Sequence, residues 1–464
     1  MSTQSPKEPS GWENLKSVWR ELIRGEDREK TSRKARPAEL REQITACLEG
    51  QGGEVSARQR AAQLARDYIT FSSRDRLAFL KLLNDEFGAD QEEIDHAVRA
   101  LQSASDPSEK EKLQRHLRQA LEPARLKLLR QFNMFQSGAR FIVELRRELV
   151  DLLGEHPELK PLERDIKELL ATWFDVGFLE LQQITWHSPA SLLEKLGRYE
   201  AVHPMRGWLD LKNRLESDRR CFAFFHPCME DEPLIFIEVA LVNGLADNIQ
   251  HLLDDKKPPM DPDEANTAIF YSISNTQRGL NGISFGSFLI KQVVDELQRA
   301  HPKLKRFATL SPIPGFRRWL DARLDEGDLA LPAYARKPLR ALSDTQPAHE
   351  LIRDTLSDTR WHRDEQRREA VKPALLALCA NYLLNAKRRD GKQALDPVAH
   401  FHLTNGARMQ RLNWLADTST RGMADSAGMM INYLYRLDWI ERFHEEYTGE
   451  GEINASSTIT GLLK

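Results

Sequence analysis

The sequence predicts an α+β protein built from two parts with different residue patterns. Residues 11–125 are rich in Glu, Arg, Lys, Gln, Leu and Ala, which favour helices, and their apolar positions recur at three- and four-residue steps. From about residue 200, short runs of β-branched and aromatic residues alternate with helical segments. We therefore predict an all-α helical bundle over residues 1–190, followed by an α/β domain over residues 191–464.

The N-terminal part shows the signals of successive amphipathic helices. One predicted helix has helically spaced apolar residues at Leu77, Leu80, Leu83 and Phe87. Ser72, just before it, is a typical N-cap residue. Residues 126–153 and 161–174 are also predicted to be helical. No repeat of fixed period is evident, which argues against a solenoid and favours a bundle with a scaffold or oligomerisation role.

The C-terminal part mixes strands and helices. Strand patterns are found at residues 221–227, 233–242, 267–274 and 305–316. A Gly- and Asn-rich turn at 275–286 leads into a predicted helix at 287–301, and a second apolar helix is predicted at 371–389. The last dozen residues are expected to fray.

Composition excludes several classes of protein. The chain has 464 residues, of which 41% are hydrophobic and 30% charged, so collagen-like and wholly disordered chains are excluded. A formal net charge of −3 shows no overall electrostatic preference for nucleic acid. No apolar run approaches the ~20 residues that span a bilayer, and the polar start MSTQSPKEPSGWENLK lacks a secretory signal. Four scattered cysteines favour a reduced, cytoplasmic setting.

The strongest local motif is the glycine-rich turn between a strand and a helix. From Gln277 it follows Q-x-G-x-x-G-x-x-x-G, with glycines at positions 279, 282 and 286. Glycine lets backbone N–H groups approach an anion, and a helix N-terminus favours negative charge, so a pyrophosphate would suit this turn. The spacing matches neither a P-loop nor a dinucleotide fingerprint. A plain tight turn remains the alternative.

Ser311 is a second candidate, because it opens the segment SPIPGF. The two prolines restrict the backbone and would hold this serine rigidly at the end of a strand. The alternative is an ordinary turn residue before proline.

Further candidates lie in the C-terminal quarter. His400 and His402 alternate and would face the same side of an extended segment. They suit a general acid or a metal pair, although Asp396 is a weak third ligand, and a core histidine is the alternative. Of Tyr433 and Tyr435, we expect one to lie in the core and the other to reach a site.

Several long segments of residues 200–440 resemble the malonyl-CoA decarboxylase family. The segments that carry the resemblance are EAVHPMRGWLDLKNRL (200–215), RRCFAFFHPC (219–228), EPLIFIEVAL with NIQ (232–250), ISNTQRGLNGISFGSFLIKQVVDELQ (273–298), TLSPIPGF (309–316), LDPVAHFHLTNGA (395–407) and NWLADTSTRGMADSAGMMINYLY (413–435). The helical half resembles the family in character more than in motif.

The resemblance implies an acetyltransferase-like (GNAT-like) catalytic domain that uses coenzyme A. It implies a lyase of fatty acid metabolism that converts malonyl-CoA to acetyl-CoA and carbon dioxide without a metal or organic cofactor. Ser311, His402 and Tyr435 match the family's catalytic motifs. The family's malonyl-CoA loop falls on Asn281, Gly282, Ile283, Ser284, Phe285, Gly286 and Ser287.

The resemblance also implies a homotetramer with no nucleic-acid or membrane partner. Because the start of the chain has no organelle-targeting signal, a bacterial, cytoplasmic form is expected. Two other functions stay open on the residues alone. One is a coenzyme A-dependent N-acetyltransferase, and the other is a non-catalytic helical interaction protein.

Overall fold

The computed structural model describes residues 37–50, 53–135, 137–229, 232–283, 288–327 and 329–464. The chain divides into two compact units. The helical unit comprises the residues up to Leu179 together with the segments 226–232 and 277–284. The sheet unit comprises residues 180–225, 233–276 and 285–464. The functional boundary at residue 190 stays a prediction.

The helical unit contains eight α-helices within its described residues. They are α1 (Pro37–Leu48), α2 (Glu54–Thr70), α3 (Ser73–Glu86), α4 (Gln91–Ser103), α5 (Pro107–Ala120), α6 (Ala124–Phe132), α7 (Gly138–Leu152) and α8 (Lys160–Trp173). The Ser72 hydroxyl accepts from the Asp75 N–H, which confirms the predicted cap of α3. The ring of Tyr68 packs edge-on against those of Phe79 and Phe141 in the core.

The segment 126–153 forms two helices rather than one. The break lies at Ser137, which has a φ of 65°, and Gly138 opens α7. A Cβ on Gly138 would lie 1.6 Å from the Phe132 carbonyl oxygen. Only glycine permits this close approach, so the chain turns here and α7 packs beside α6.

The sheet unit contains a mixed sheet. Its described strands are β1 (Glu180–Ile184), β2 (Arg219–Phe225), β3 (Ile235–Val242), β4 (Thr267–Asn275), β5 (Arg306–Thr309), β6 (Ser311–Pro312), β7 (Arg408–Asn413) and β8 (Met430–Tyr435). Their order is β1-β2-β3-β4-β5-β8-β6, with β7 also paired to β8. Strands β4 and β5 are parallel and the other pairs are antiparallel. The predicted α+β class is confirmed, as are the four strand patterns, whereas β1, β7 and β8 were not predicted.

Helices of the sheet unit lie between these strands and after the last of them. They are α9 (Ala190–Tyr199), α10 (Trp208–Asn213), α11 (Ile249–Leu252), α12 (Phe288–Ala300), α13 (Phe316–Glu326), α14 (Ala333–Arg336), α15 (Ala348–Ser357), α16 (Glu365–Asn385), α17 (Pro397–Thr404), α18 (Thr420–Ser426), α19 (Ile440–Glu445) and α20 (Ser457–Thr460). The buried middle of β2, β3 and β4 forms the centre of this unit.

The expectation that the chain end frays is wrong. Ile459 is fully buried, and the Ser456 hydroxyl donates to the Gln410 carbonyl at 2.6 Å. Ala455 forms a β-bridge with Met409. Apolar burial and backbone pairing therefore hold the last helix against β7.

A buried ion pair links two elements of the sheet unit. Arg214 donates to Glu238 and to Asp210, at 3.1 Å in each case. The Glu238 side chain is fully buried in the middle of β3. Burial raises the pKa of the Glu238 carboxyl, and Arg214 opposes that rise. The guanidinium is thus the main compensation for a carboxylate that lies out of water.

All four cysteines are free thiols. No helix in the described ranges combines the length and the apolar character needed to cross a bilayer.

Candidate active site

Ser311 is held at the junction of two short strands. It pairs with Ile431 of β8, while the neighbouring Pro312 pairs with Met430. The residue before it, Leu310, donates its N–H to the Phe270 carbonyl of β4 at 3.0 Å. Ser311 is 5% exposed. The sheet therefore fixes its backbone on both sides, which restricts the position of its hydroxyl oxygen.

His402 reaches the site from helix α17. The first turn of this helix is capped by Asp396 and has Pro397 at a position where no N–H is needed. His402 lies on the buried face, and its Nε2 is 3.0 Å from Ser311 Oγ.

His400 occupies a different environment. Its Nδ1 lies 2.8 Å from the Tyr447 hydroxyl oxygen. The prediction that His400 and His402 share one face of an extended segment is wrong, because the segment is helical. Residues two positions apart in a helix are separated by about 200° of rotation, so the two rings face nearly opposite directions.

Two tyrosines of β8 contact the His402 ring. The Tyr435 hydroxyl lies 2.8 Å from His402 Nδ1. The Tyr433 ring stacks on the imidazole with centroids 4.5 Å apart and an interplanar angle of 27°. Residues two apart in a strand share a face, so both side chains meet His402. Both tyrosines are buried in the core, and it is the Tyr435 hydroxyl that reaches the imidazole nitrogen.

The side chains of four residues form one hydrogen-bonded series, which runs through Thr309, Ser311, His402 and Tyr435. The Ser311 hydroxyl donates to Thr309 Oγ1 at 2.8 Å, and the Tyr433 backbone N–H donates to the same oxygen at 3.1 Å. The hydroxyl proton of Ser311 points to Thr309, so Ser311 Oγ can only accept from His402. His402 Nε2 therefore carries a proton and donates it to Ser311 Oγ. The other nitrogen, Nδ1, then accepts from the Tyr435 hydroxyl. Thr309 belongs to the quoted TLSPIPGF motif but was not singled out from the sequence.

Burial determines the charge of this series. Loss of solvation lowers the pKa of His402 to about 3, so the imidazole is neutral at physiological pH. The same effect raises the pKa values of Tyr433 and Tyr435 well above their ordinary range. All of these side chains are therefore uncharged, and a negative charge that develops beside them meets oriented dipoles rather than solvent.

Asp396 connects the histidine helix to the serine turn. One carboxylate oxygen accepts from the N–H groups of residues 398 and 399 at the start of α17. The other oxygen accepts from the Gly315 N–H at 3.3 Å and from the Tyr382 hydroxyl at 3.2 Å. A Cβ on Gly315 would lie 2.1 Å from the Tyr382 oxygen, so the turn requires glycine. Sequence reasoning weighed Asp396 only as a weak metal ligand and missed this connection.

No cluster of three or more potential metal-ligating side chains is found among the residues that the structure describes.

The glycine-rich turn belongs to the helical unit as far as residue 284. Asn281, Gly282 and Ile283 are described, whereas residues 284–287 of the predicted binding loop lie outside the described residues. Gly279 packs directly on α7, since a Cβ there would lie 1.9 Å from the Val143 carbonyl oxygen. Close packing on α7 therefore requires glycine at residue 279, and phosphate binding by the turn stays a prediction. Gly282 has a φ of 75°, which glycine adopts at little cost.

The fold and the buried series of hydroxyl and imidazole groups indicate an enzyme whose site can orient a substrate and move a proton. Residues 87–174 match the family model of the malonyl-CoA decarboxylase N-terminal domain. Residues 177–464 match that of the malonyl-CoA decarboxylase C-terminal domain. The chain therefore belongs to the malonyl-CoA decarboxylase family.

Individual relatives agree with this family. The mitochondrial malonyl-CoA decarboxylase of Mus musculus is 37% identical over 453 residues, which cover 92% of this chain and 87% of the mouse protein. The crystal structure of malonyl-CoA decarboxylase from Rhodopseudomonas palustris is similar with a TM-score of 0.83 and 42% identity, covering 92% of this chain and 99% of that one. That from Agrobacterium vitis has a TM-score of 0.82 and 39% identity, covering 92% and 100%.

Proposed function

We propose that this chain converts malonyl-CoA to acetyl-CoA and carbon dioxide, with Ser311, His402 and Tyr435 as the polar groups of the active site. The assignment of the reaction is supported by membership of the malonyl-CoA decarboxylase family. The assignment of residues is supported by the hydrogen-bonded series, in which His402 lies 3.0 Å from Ser311 and 2.8 Å from Tyr435 within a buried site.

The chemistry requires stabilisation of charge and then delivery of a proton. Loss of carbon dioxide from a malonyl thioester leaves an enolate, whose charge collects on the thioester oxygen. Preorganised hydrogen-bond donors stabilise such an oxygen, and removal of one typically costs about 3 kcal/mol in the transition state. The proposed donors are those backbone N–H groups of the loop at residues 281–287 that are not hydrogen-bonded within the turn, and the same loop would bind the coenzyme A pyrophosphate.

Ser311 and His402 have separate roles in this proposal. Ser311 turns its hydroxyl proton from Thr309 to the departing carboxylate when substrate binds, and holds that carboxylate in one orientation. The neutral His402 imidazole supplies the Nε2 proton that turns the enolate carbon into the acetyl methyl group. A neutral imidazole is a suitable donor to a strongly basic centre because it adds no positive charge to a dry site. The hydrogen bond from Tyr435 to Nδ1 stabilises the ring as Nε2 loses its proton, and water restores that proton after product release.

The test is incubation with malonyl-CoA and mass spectrometry for acetyl-CoA. Ser311→Ala and His402→Ala should each lower turnover by about 10²-fold or more, because general acid catalysis alone contributes ~10²–10⁴-fold. His400→Ala is a matched control, since that histidine lies on the same helix and contacts Tyr447 instead. Near wild-type turnover in either site variant, with the same folded circular dichroism spectrum, would refute the assignment.

The same proposal includes a homotetramer in the cytoplasm, as the family resemblance implies. Gel filtration with light scattering should give four times the 53.4 kDa chain mass. A monomer mass at micromolar protein concentration would contradict the tetramer but not the proposed reaction.

A further inference from the structure

Lys167 of helix α8 lies beside the glycine-rich turn in the helical unit. Its Nζ is 3.4 Å from the position that a Cβ would take on Gly282. The side chain is half-buried. No ion pair or hydrogen bond of this ammonium is found in the described ranges of the chain. A half-buried cation held against a turn without a counter-charge is a binding element for an anion.

The nearest carboxylate on the same helix is already used. Glu163 lies four residues before Lys167, the spacing of a common intrahelical ion pair. Its Oε1, however, accepts from Arg146 Nε at 3.0 Å and Nη2 at 2.8 Å. Arg146 is 3% exposed, so this pair is largely shielded from solvent. Lys167 therefore faces the turn rather than pairing with Glu163.

Arg146 also fixes the backbone of the turn. It donates to the Gly279 carbonyl at 2.6 Å and to the Asn281 carbonyl at 2.9 Å. One carbonyl lies within the short helical turn Arg278–Leu280 and the other directly follows it, and this turn lies against α7. A turn fixed at two carbonyls cannot shift when a ligand binds, which lowers the entropic cost of binding.

The Gly282 amide is a backbone donor of this turn that stays available to a ligand. The N–H groups of Leu280, Asn281 and Ile283 bond to carbonyls within the turn, at 2.9, 3.1 and 3.0 Å. The N–H of Gly282 has no acceptor among the residues described. Gly282 thus combines an amide that has no acceptor in the described ranges with the approach of the Lys167 ammonium. An N–H and an ammonium beside the same residue suit a phosphate oxygen.

We propose that Lys167 binds the pyrophosphate of the coenzyme A moiety, with the Gly282 N–H as its backbone partner. The inference rests on the proposed function and extends it, because it adds a side chain to the proposed binding loop. Lys167 is a binding residue and not part of the chemistry, so its loss should act on substrate affinity and leave the chemical step intact.

The experiment measures kcat and KM of the full chain with three substrates. They are malonyl-CoA, malonyl-dephospho-CoA, which lacks only the 3′-phosphate, and malonyl-pantetheine, which lacks the adenosine and every phosphate. Lys167→Ala should raise KM about 10-fold for the first two substrates, the effect of one charge-assisted hydrogen bond, and leave kcat within about twofold. KM for malonyl-pantetheine should not change. Lys167→Arg should restore most of the affinity.

Lys160→Ala is the matched control. Lys160 opens the same helix, is exposed, and lies about 10 Å further along the axis. The Lys160→Ala variant removes the same charge as Lys167→Ala and should leave KM unchanged. The inference is overturned if Lys167→Ala leaves KM for malonyl-CoA unchanged. It is also overturned if the loss vanishes with malonyl-dephospho-CoA or persists with malonyl-pantetheine. Failure of the proposed function is distinct, since the wild-type chain would then release no acetyl-CoA.

Discussion

Replacing Tyr435 by Phe removes one hydroxyl from the buried series and little else. The hydroxyl lies 2.8 Å from His402 Nδ1, its partner in the described structure. The ring also packs edge-on against Phe270, and a phenylalanine ring keeps that contact. The variant should therefore fold, and its effect reports the hydrogen bond alone.

The size of the effect follows from burial. Without the hydroxyl, Nδ1 of His402 is a buried acceptor that has lost its donor, a loss that costs about 1–3 kcal/mol. If that cost falls on the proton-transfer transition state, kcat decreases about 5- to 150-fold, because each 1.36 kcal/mol is a factor of ten. KM should change little, since Tyr435 contacts the histidine rather than the coenzyme.

The assay is initial-rate acetyl-CoA formation with saturating malonyl-CoA, together with thermal unfolding of each variant. A double-mutant cycle with Ser311→Ala shows whether the tyrosine acts through the series. Groups that act as a unit are not additive, so Tyr435→Phe should cost much less when Ser311 is already absent. A kcat within twofold of wild type and an unchanged Tm would refute the reasoning, as would full additivity in the cycle.

Three further outcomes are expected from the same structure. Burial places the pKa of His402 at about 3, against 6.5 in the unfolded chain, so the unfolded state binds more protons between these values. The unfolding free energy should therefore fall as pH drops below 6.5, by about 2 kcal/mol at pH 5 from this group, as measured by urea denaturation. Asp396→Asn keeps an acceptor for the start of α17 but loses the one for Gly315, so kcat should fall about 10-fold with KM unchanged. Arg214→Ala leaves Glu238 buried without its guanidinium, so the unfolding free energy should drop by about 3–5 kcal/mol in chemical denaturation.

Each of these outcomes has a control. His402→Gln has no titrating ring and should lose the acid-dependent part of the stability change, and an identical pH slope would contradict the pKa. Asp396→Asn should show its effect in kcat, whereas a change confined to Tm would make Asp396 a structural cap only. Arg214→Lys retains a charge, and equal stability of the Lys and Ala variants would show that the ion pair contributes nothing.

Local patterns in the sequence determined much of the fold. The cap at Ser72 and the apolar spacing after it define a helix because both signals depend only on neighbouring residues. The β-rich runs in β2, β3 and β4 are apolar enough to be recognised as buried strands. Strand β8, with the sequence MINYLY, was missed because its buried Asn432 hydrogen-bonds across the sheet, a pairing that no local pattern reveals.

The candidate site, too, was predicted only in part from the sequence. The motifs pointed to Ser311, His402 and Tyr435, and to the loop that begins at Asn281. The sequence alone did not show that His400 faces away from the site, since that depends on a helix initiated by Asp396. Long-range contacts decided the rest. The stacking of Tyr433, the link from Asp396 to Gly315, and the packing of the glycine turn on α7 join residues that are far apart in the chain. Residue types determine what chemistry is available, whereas tertiary packing decides which groups meet and which of them lose their solvent and hence their charge.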